Sequence, residues 1–252
     1  MNTRKLRKAI LTLCSALLLV SLSVGATLAY LTSQDSVTNT FTVGQVKIDL
    51  DEADVYEIGD DVDESKLGTA IPNADRVEAN KYKIMPGHDL YKDPTVHVKA
   101  KSEDCYVRTF VTVNNFKDLK TILGINDDNA AAAKIATYVK GYDGNKWNDK
   151  GWIIKDDEVT YEFWWSTKVE QNNEKDQDLM LFTGINVPDT LTNEQIALLA
   201  DDSTTTDKDE SLQIKVIAQA IQADGFAASE DGTKTAMDVA WENWTTRQDD
   251  DV

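Results

Sequence analysis

Few side chains in this sequence have the type and spacing that catalysis requires. His88 and His97 are the only histidines, and they do not form the H-E-x-x-H pattern that holds zinc beside a general base. Cys105 begins an alternating apolar segment, which favours a buried small side chain over a reactive thiol. The sequence therefore predicts no catalytic residue, no metal site and no cofactor, and we expect both histidines at the surface.

Acidic residues are abundant, but their spacing does not define an ion site. The chain has 44 Asp and Glu against 26 Lys and Arg, a net charge of −18. The runs at 60–64 and 143–145 lack the D-x-[DN]-x-[DN]-G register that wraps calcium. We expect solvated acidic loops at 51–64 and 201–210. This charge also argues against nucleic acid as a partner.

The adjacent tryptophans Trp164 and Trp165 are the one candidate for a sugar-binding surface. Neighbouring residues of a strand point to opposite faces, so one ring is available as a stacking platform if nothing covers it. Burial under another segment is the more common arrangement. A cell-surface carbohydrate-binding or adhesion module is therefore kept as an alternative function.

The elements that must position these residues are mainly strands with a period of two. Alternation predicts half-buried antiparallel strands, and residues 179–187, apolar on both faces, predict a central strand. The alternating positions are Val46, Ile48 and Leu50; Val96, Val98 and Ala100; Cys105, Val107, Val111 and Val113; Val159, Tyr161, Phe163 and Trp165; and Leu212, Ile214, Val216, Ala218 and Ala220. The predicted fold is a mainly β, antiparallel sandwich.

Three short helices are predicted between and after the strands. Residues 127–139 are rich in alanine, and residues 192–200 open with Thr192 and Gln195 at capping-box spacing. Residues 235–244 place Met237, Ala240, Trp241 and Trp244 on one helical face. We expect that last helix to be a lid over one end of the sandwich.

The N-terminal region has the layout of a secretory signal peptide. Four basic residues precede an apolar stretch over 9–24, and small side chains at Thr27 and Ala29 suit a signal peptidase. We predict cleavage after Ala29, so that residues 1–29 are removed and the mature domain, 30–252, starts at Tyr30. An uncleaved anchor is the alternative. Loss of the four cations takes the net charge from −18 to −22 and leaves Cys105 as the only cysteine.

Motifs on both sides of the cleavage site resemble those of the TasA/camelysin family of exported proteins. The resemblance rests on the block GATLAYLT at 25–32, on NTFTVGQVKIDL at 39–50, and on IMPGH at 84–88. It implies a jelly-roll-like β-sandwich, processing by a dedicated signal peptidase and no stable membrane anchor afterwards. It further implies head-to-tail assembly into extracellular biofilm-matrix fibres by donated N-terminal strands. Some relatives have been described as metallopeptidases, so a secreted metallopeptidase is a further alternative.

Residues 30–43 are the segment on which assembly would depend. Val37, Phe41 and Val43 alternate, and the alternation changes parity at Gly44, which predicts a bulge or bend there. Such a strand can complete its own sheet or add to the open edge of a neighbour. The expected function is a secreted, non-enzymatic subunit or accessory of matrix fibres, found in the extracellular matrix or at the cell surface, that self-associates or joins related subunits.

Overall fold

The computed structural model describes residues 45–171, 174–199 and 211–249, with side chains described as far as residue 244. The described strands are β1 Ile48–Ala53, β2 Arg76–Val77, β3 Leu90–Tyr91, β4 Thr95–Val98, β5 Cys105–Val113, β6 Val139–Lys140, β7 Trp147–Lys155, β8 Glu158–Trp165, β9 Gln177–Met180, β10 Gly184–Ile185 and β11 Ile214–Gln222. The α-helices are α1 Phe116–Leu123, α2 Asp128–Ala136, α3 Asn193–Leu199 and α4 Ala236–Asp249.

These strands form three antiparallel sheets. The first has the order β2-β1-β4-β9, the second β3-β10-β6 and the third β11-β5-β8-β7. All pairings between named strands are antiparallel. The predicted mainly β, sandwich-like fold is confirmed, whereas the jelly-roll connectivity stays a prediction. None of the helices in the described ranges combines the length and apolar content that a bilayer crossing requires.

The main core lies between the first and third sheets. Alternation places one row of branched side chains of each strand inward, and Val98, Cys105 and Val107 are fully buried. Trp147 is also fully buried and packs edge-on against Trp165, with ring centroids 5.1 Å apart. The inward rows of β1, β4, β5, β8 and β11 are those that the period of two predicted.

The prediction of one central strand over 179–187 was wrong. The segment divides into β9, at an edge of the first sheet, and β10, in the middle of the second. A Cβ on Gly184 would lie 2.6 Å from the carbonyl oxygen of Leu90, so only glycine lets β10 approach β3 this closely. Leu181 and Phe182, between the two strands, also enter the core, whereas Met180 is exposed.

The predicted helices are present with their caps. Asp127 accepts a hydrogen bond from the Ala130 amide at the start of α2. Thr192 and Gln195 bond reciprocally before α3, as a capping box does: the Thr192 amide donates to Gln195 Oε1 at 2.9 Å, and the Gln195 amide to Thr192 Oγ1 at 3.2 Å. Helix α1 was not predicted; it ends at Gly124, which has a left-handed conformation.

Helix α4 packs on a face of the third sheet, which corrects the expectation that it closes an end of the sandwich. Ala240 and Trp241 are buried against Tyr106, Trp164 and Ile221. Those three residues point away from the main core, since Val107, Phe163 and Ala220 beside them point into it. The predicted apolar face of the helix is confirmed, but it packs against the outer face of the third sheet.

Candidate functional site

The residues predicted for processing and assembly lie outside the described part of the chain. These are Thr27, Ala29 and Tyr30 at the cleavage site, and Val37, Phe41, Val43 and Gly44 in the assembly strand. The described residues do include a cavity and an open strand edge.

An apolar cavity of about 1760 Å³ is lined by residues of the first and third sheets and of helices α1 to α3. Its lining includes inward-facing Val111, Val113 and Phe163 of the third sheet, together with Leu50 of β1 and Phe182. β1 and β11 are in contact, but no ladder joins them within the described residues. Apolar side chains of this kind suit an extended apolar segment.

The edge of β11 borders this cavity. Ile214 and Val216 of β11 line it, and β11 pairs with β5 over its whole length, from Ile214 opposite Val113 to Gln222 opposite Cys105. On its other side, β11 pairs with no strand of the described ranges. An unpaired edge presents backbone N–H and C=O groups to any strand that approaches it.

Hydrogen bonds hold the residues that lead into β1. The amide of Glu103 donates to the carbonyl of Gln45 at 3.3 Å, and that of Lys99 donates to the carbonyl of Lys47 at 3.0 Å. The Lys47 amide donates in turn to Ser102 Oγ at 3.1 Å. Residues 45–47, which lead into β1, therefore lie beside the turn that follows β4.

His97 is held between two carboxylates rather than exposed. Its Nε2 lies 2.8 Å from Asp51 Oδ1 and its Nδ1 lies 2.6 Å from Asp178 Oδ1. Burial lowers the pKa of His97, but hydrogen bonds to the two carboxylates outweigh it and the pKa is raised. His88 Nε2 lies 2.6 Å from the carbonyl oxygen of Leu67. The expectation of two surface histidines was wrong, because both rings have protein partners.

Within the described ranges, no three His, Cys, Asp or Glu side chains are grouped so that they could hold a metal ion. The two nitrogens of His97 face carboxylates on opposite sides of the ring. Cys105 is fully buried, as predicted. Burial, with a smaller contribution from the charge of Asp104, raises the pKa of its thiol to about 12, so the thiol is protonated at neutral pH.

The paired tryptophans occupy opposite faces, as predicted. Trp165 belongs to the main core. Trp164 lies on the outer face, where Lys150 Nζ sits 4.1 Å from its ring centroid and Trp241 packs at 6.1 Å. Its indole N–H donates to Glu162 at 2.6 Å. A sugar stacking on this ring would have to displace Lys150 or α4.

A cluster of buried charges at the end of β1 was missed by the sequence analysis. Residues 51–64 were predicted to be a solvated loop, yet Glu52 is 3% exposed and bonds to Lys92 and Asn80. Beside it, Arg76 joins Asp51 to Asp93, with Nη1 at 3.0 Å from Asp93 Oδ2. One signal was available: Glu52 continues the even-numbered inward positions of Ile48 and Leu50.

Comparisons of the chain with protein-family models, with curated proteins and with solved structures found no match. The resemblance to the TasA/camelysin family thus stays a prediction from the motifs.

Proposed function

We propose that this protein is an exported structural subunit, or an accessory subunit, of extracellular biofilm-matrix fibres. Residues 30–43 of one copy add as a strand to the next copy, after a signal peptidase has removed residues 1–29. The observation that carries the proposal is the apolar cavity beside the open edge of β11. The signal-peptide pattern supports export to the extracellular matrix or cell surface.

The energetics favour strand addition at this edge. A strand beside β11 satisfies its open backbone groups, and one face of that strand brings Val37, Phe41 and Val43 to the cavity. Each of these side chains contributes roughly 1.5 to 3 kcal/mol if it is fully covered. Since donor and acceptor are different surfaces, the contact is heterologous and repeats from copy to copy without closing.

Paired charge substitutions in the donor segment test the proposal. Phe41→Asp places a carboxylate on the inserted face, where an unpaired charge is costly to bury, so fibres of the mature protein should disappear. Thr42→Asp adds the same charge to the opposite face and should leave fibres intact. Electron microscopy and sedimentation at equal concentration provide the readout. Equal fibre formation by both variants, or by protein lacking residues 30–43, would exclude strand donation.

A competing peptide tests the open edge of β11 independently of the donor segment of the intact chain. A synthetic peptide of residues 30–43, added in excess to the mature protein, should occupy open edges and shorten the fibres. The same peptide carrying Phe41→Asp should have no effect.

The metallopeptidase and carbohydrate-binding hypotheses stay as alternatives. Zinc analysis of the mature protein would test the first, and glycan binding would test the second.

A further inference from the structure

Lys92, Glu52 and Asn80 meet at the end of β1 in an arrangement that strand addition does not use. Lys92 and Glu52 are 9% and 3% exposed, and Lys92 Nζ donates to Glu52 Oε2. Asn80 Nδ2 donates to the other carboxylate oxygen, Oε1, at 2.8 Å. A single carboxylate therefore holds an amine on one oxygen and a carboxamide on the other.

Both members of this pair are shielded from water by the protein. The ring of Tyr82 covers the amine, with Nζ 5.6 Å from the ring centroid, and Glu52 Oε2 accepts the hydrogen bond from that nitrogen. A lysine nitrogen that has given up a proton is a nucleophile, and Glu52 is the carboxylate in contact to take that proton.

The carboxamide of Asn80 is held at both of its polar atoms. Its Oδ1 accepts a hydrogen bond from the Val55 amide at 3.0 Å, and Val55 is fully buried. Attack on the amide carbon places negative charge on Oδ1, which this N–H is placed to stabilise. The leaving nitrogen, Nδ2, donates to Glu52 and to the carbonyl of Ala53, so the carboxylate that would exchange protons with it is already in contact.

We propose that Lys92 and Asn80 join in an intramolecular isopeptide bond, with Glu52 as the proton-transfer group. Lys92 Nζ attacks Asn80 Cγ, and the new C–N bond displaces the carbonyl electrons onto Oδ1. Glu52 takes a proton from Nζ before the attack, gives it to Nδ2 and takes a second proton from Nζ. As the carbonyl re-forms, the C–Nδ2 bond breaks and ammonia leaves. Both reactants are in the chain, and no oxidant or other co-reactant is consumed.

The chain also contains an exposed counterpart of this group. Lys140 Nζ donates to Asp89 Oδ2, and Asn186 Nδ2 donates to Asp89 Oδ1 at 2.8 Å. Lys140 and Asp89 are each about half exposed, so this group is open to water. The amine and the carboxamide again share one carboxylate, here an aspartate at the surface, which makes this group a useful control.

The bond would link two segments of a fold in which Cys105, the cysteine of the described ranges, is free. Asn80 follows β2 and Lys92 precedes β4, so the link closes the segment that contains β3. A covalent link between distant residues stabilises chiefly by restricting the unfolded chain. The link lies next to β1, the strand that directly follows the proposed donor segment.

Mass spectrometry of the purified mature protein tests the proposal. The intact mass should fall short of the sequence mass by one ammonia, and proteolysis should release a branched fragment that joins Asn80 to Lys92. Lys92→Met and Glu52→Gln should each show their full sequence mass, while Lys140→Met should keep the deficit. Asn80→Asp should lose water instead of ammonia and reach the same final mass as the wild type.

Two outcomes would overturn the proposal. One is the full sequence mass in wild-type protein with no branched fragment. The other is a deficit that persists in Lys92→Met, because a succinimide at Asn80 also loses ammonia but does not need the lysine. The wild-type measurement is decisive even if a variant fails to fold, and it is independent of fibre formation.

Discussion

Raising the pH should weaken the first sheet, because His97 of β4 links Asp51 of β1 to Asp178 of β9. Only the doubly protonated imidazole donates to both carboxylates. The pKa of His97 is raised above its unfolded value of about 6.5. The stabilisation is therefore fully present below that unfolded value and is lost as the pH rises through the folded pKa.

The size of the effect follows from the exposure of the partners. The Asp51 bond joins side chains that are 13% and 25% exposed, and a charge-assisted bond of this kind contributes about 1.5 kcal/mol. Asp178 is 66% exposed, so its bond contributes only about 0.5 kcal/mol. His97→Gln should thus cost about 2 kcal/mol at low pH and under about 1 kcal/mol at high pH, where the neutral ring donates a single N–H.

Urea unfolding of the mature protein at about pH 5.5 and about pH 9, on either side of the histidine range, measures this difference. His88→Gln is the control, since His88 contacts the carbonyl of Leu67 rather than a pair of carboxylates. The reasoning fails if His97→Gln costs the same free energy of unfolding at both pH values, or costs more at pH 9.

Three further outcomes are expected. Ala29→Phe should block processing, because a large ring does not fit the peptidase, whereas wild-type secreted protein should begin at Tyr30 on N-terminal sequencing. Fibre formation, measured by light scattering, should increase with salt, because salt screens the repulsion between subunits over a Debye length of about 10 Å at 0.1 M. Fibre formation that does not depend on salt would contradict this expectation. Gly184→Ala should lower the free energy of unfolding by about 1 to 3 kcal/mol through overpacking, because its Cβ would meet the Leu90 carbonyl, whereas Gly144→Ala should be nearly neutral.

The sequence was most informative where a local pattern determines structure. Alternation in β5 and β8 predicted which side chains are inward, and the Thr192 and Gln195 spacing predicted a capping box that the structure contains. Two-residue strands such as β6 and β10 have no periodicity to detect. They form where segments far apart in the sequence pack closely, as β10 does against β3 at Gly184.

The candidate sites were less predictable because they depend on residues far apart in the chain. Glu52 is separated from its partner Lys92 by 40 residues, and no local pattern signals that pairing. The cavity beside β11 is similarly lined by residues far apart in the chain, from Leu50 to Val216. Sequence motifs suggested a donated strand, but the open edge of β11 is a property of the tertiary fold.

The pairing of β5 with β11 also bears on when the protein can fold. Arg108 of β5 bonds to Gln219 of β11, 111 residues later, so β5 lacks one neighbour until that later segment has been synthesised. Such non-local pairing is slow, on the order of milliseconds to seconds. The export proposed above would benefit from that delay, because the third sheet is completed only after residue 222 has been synthesised.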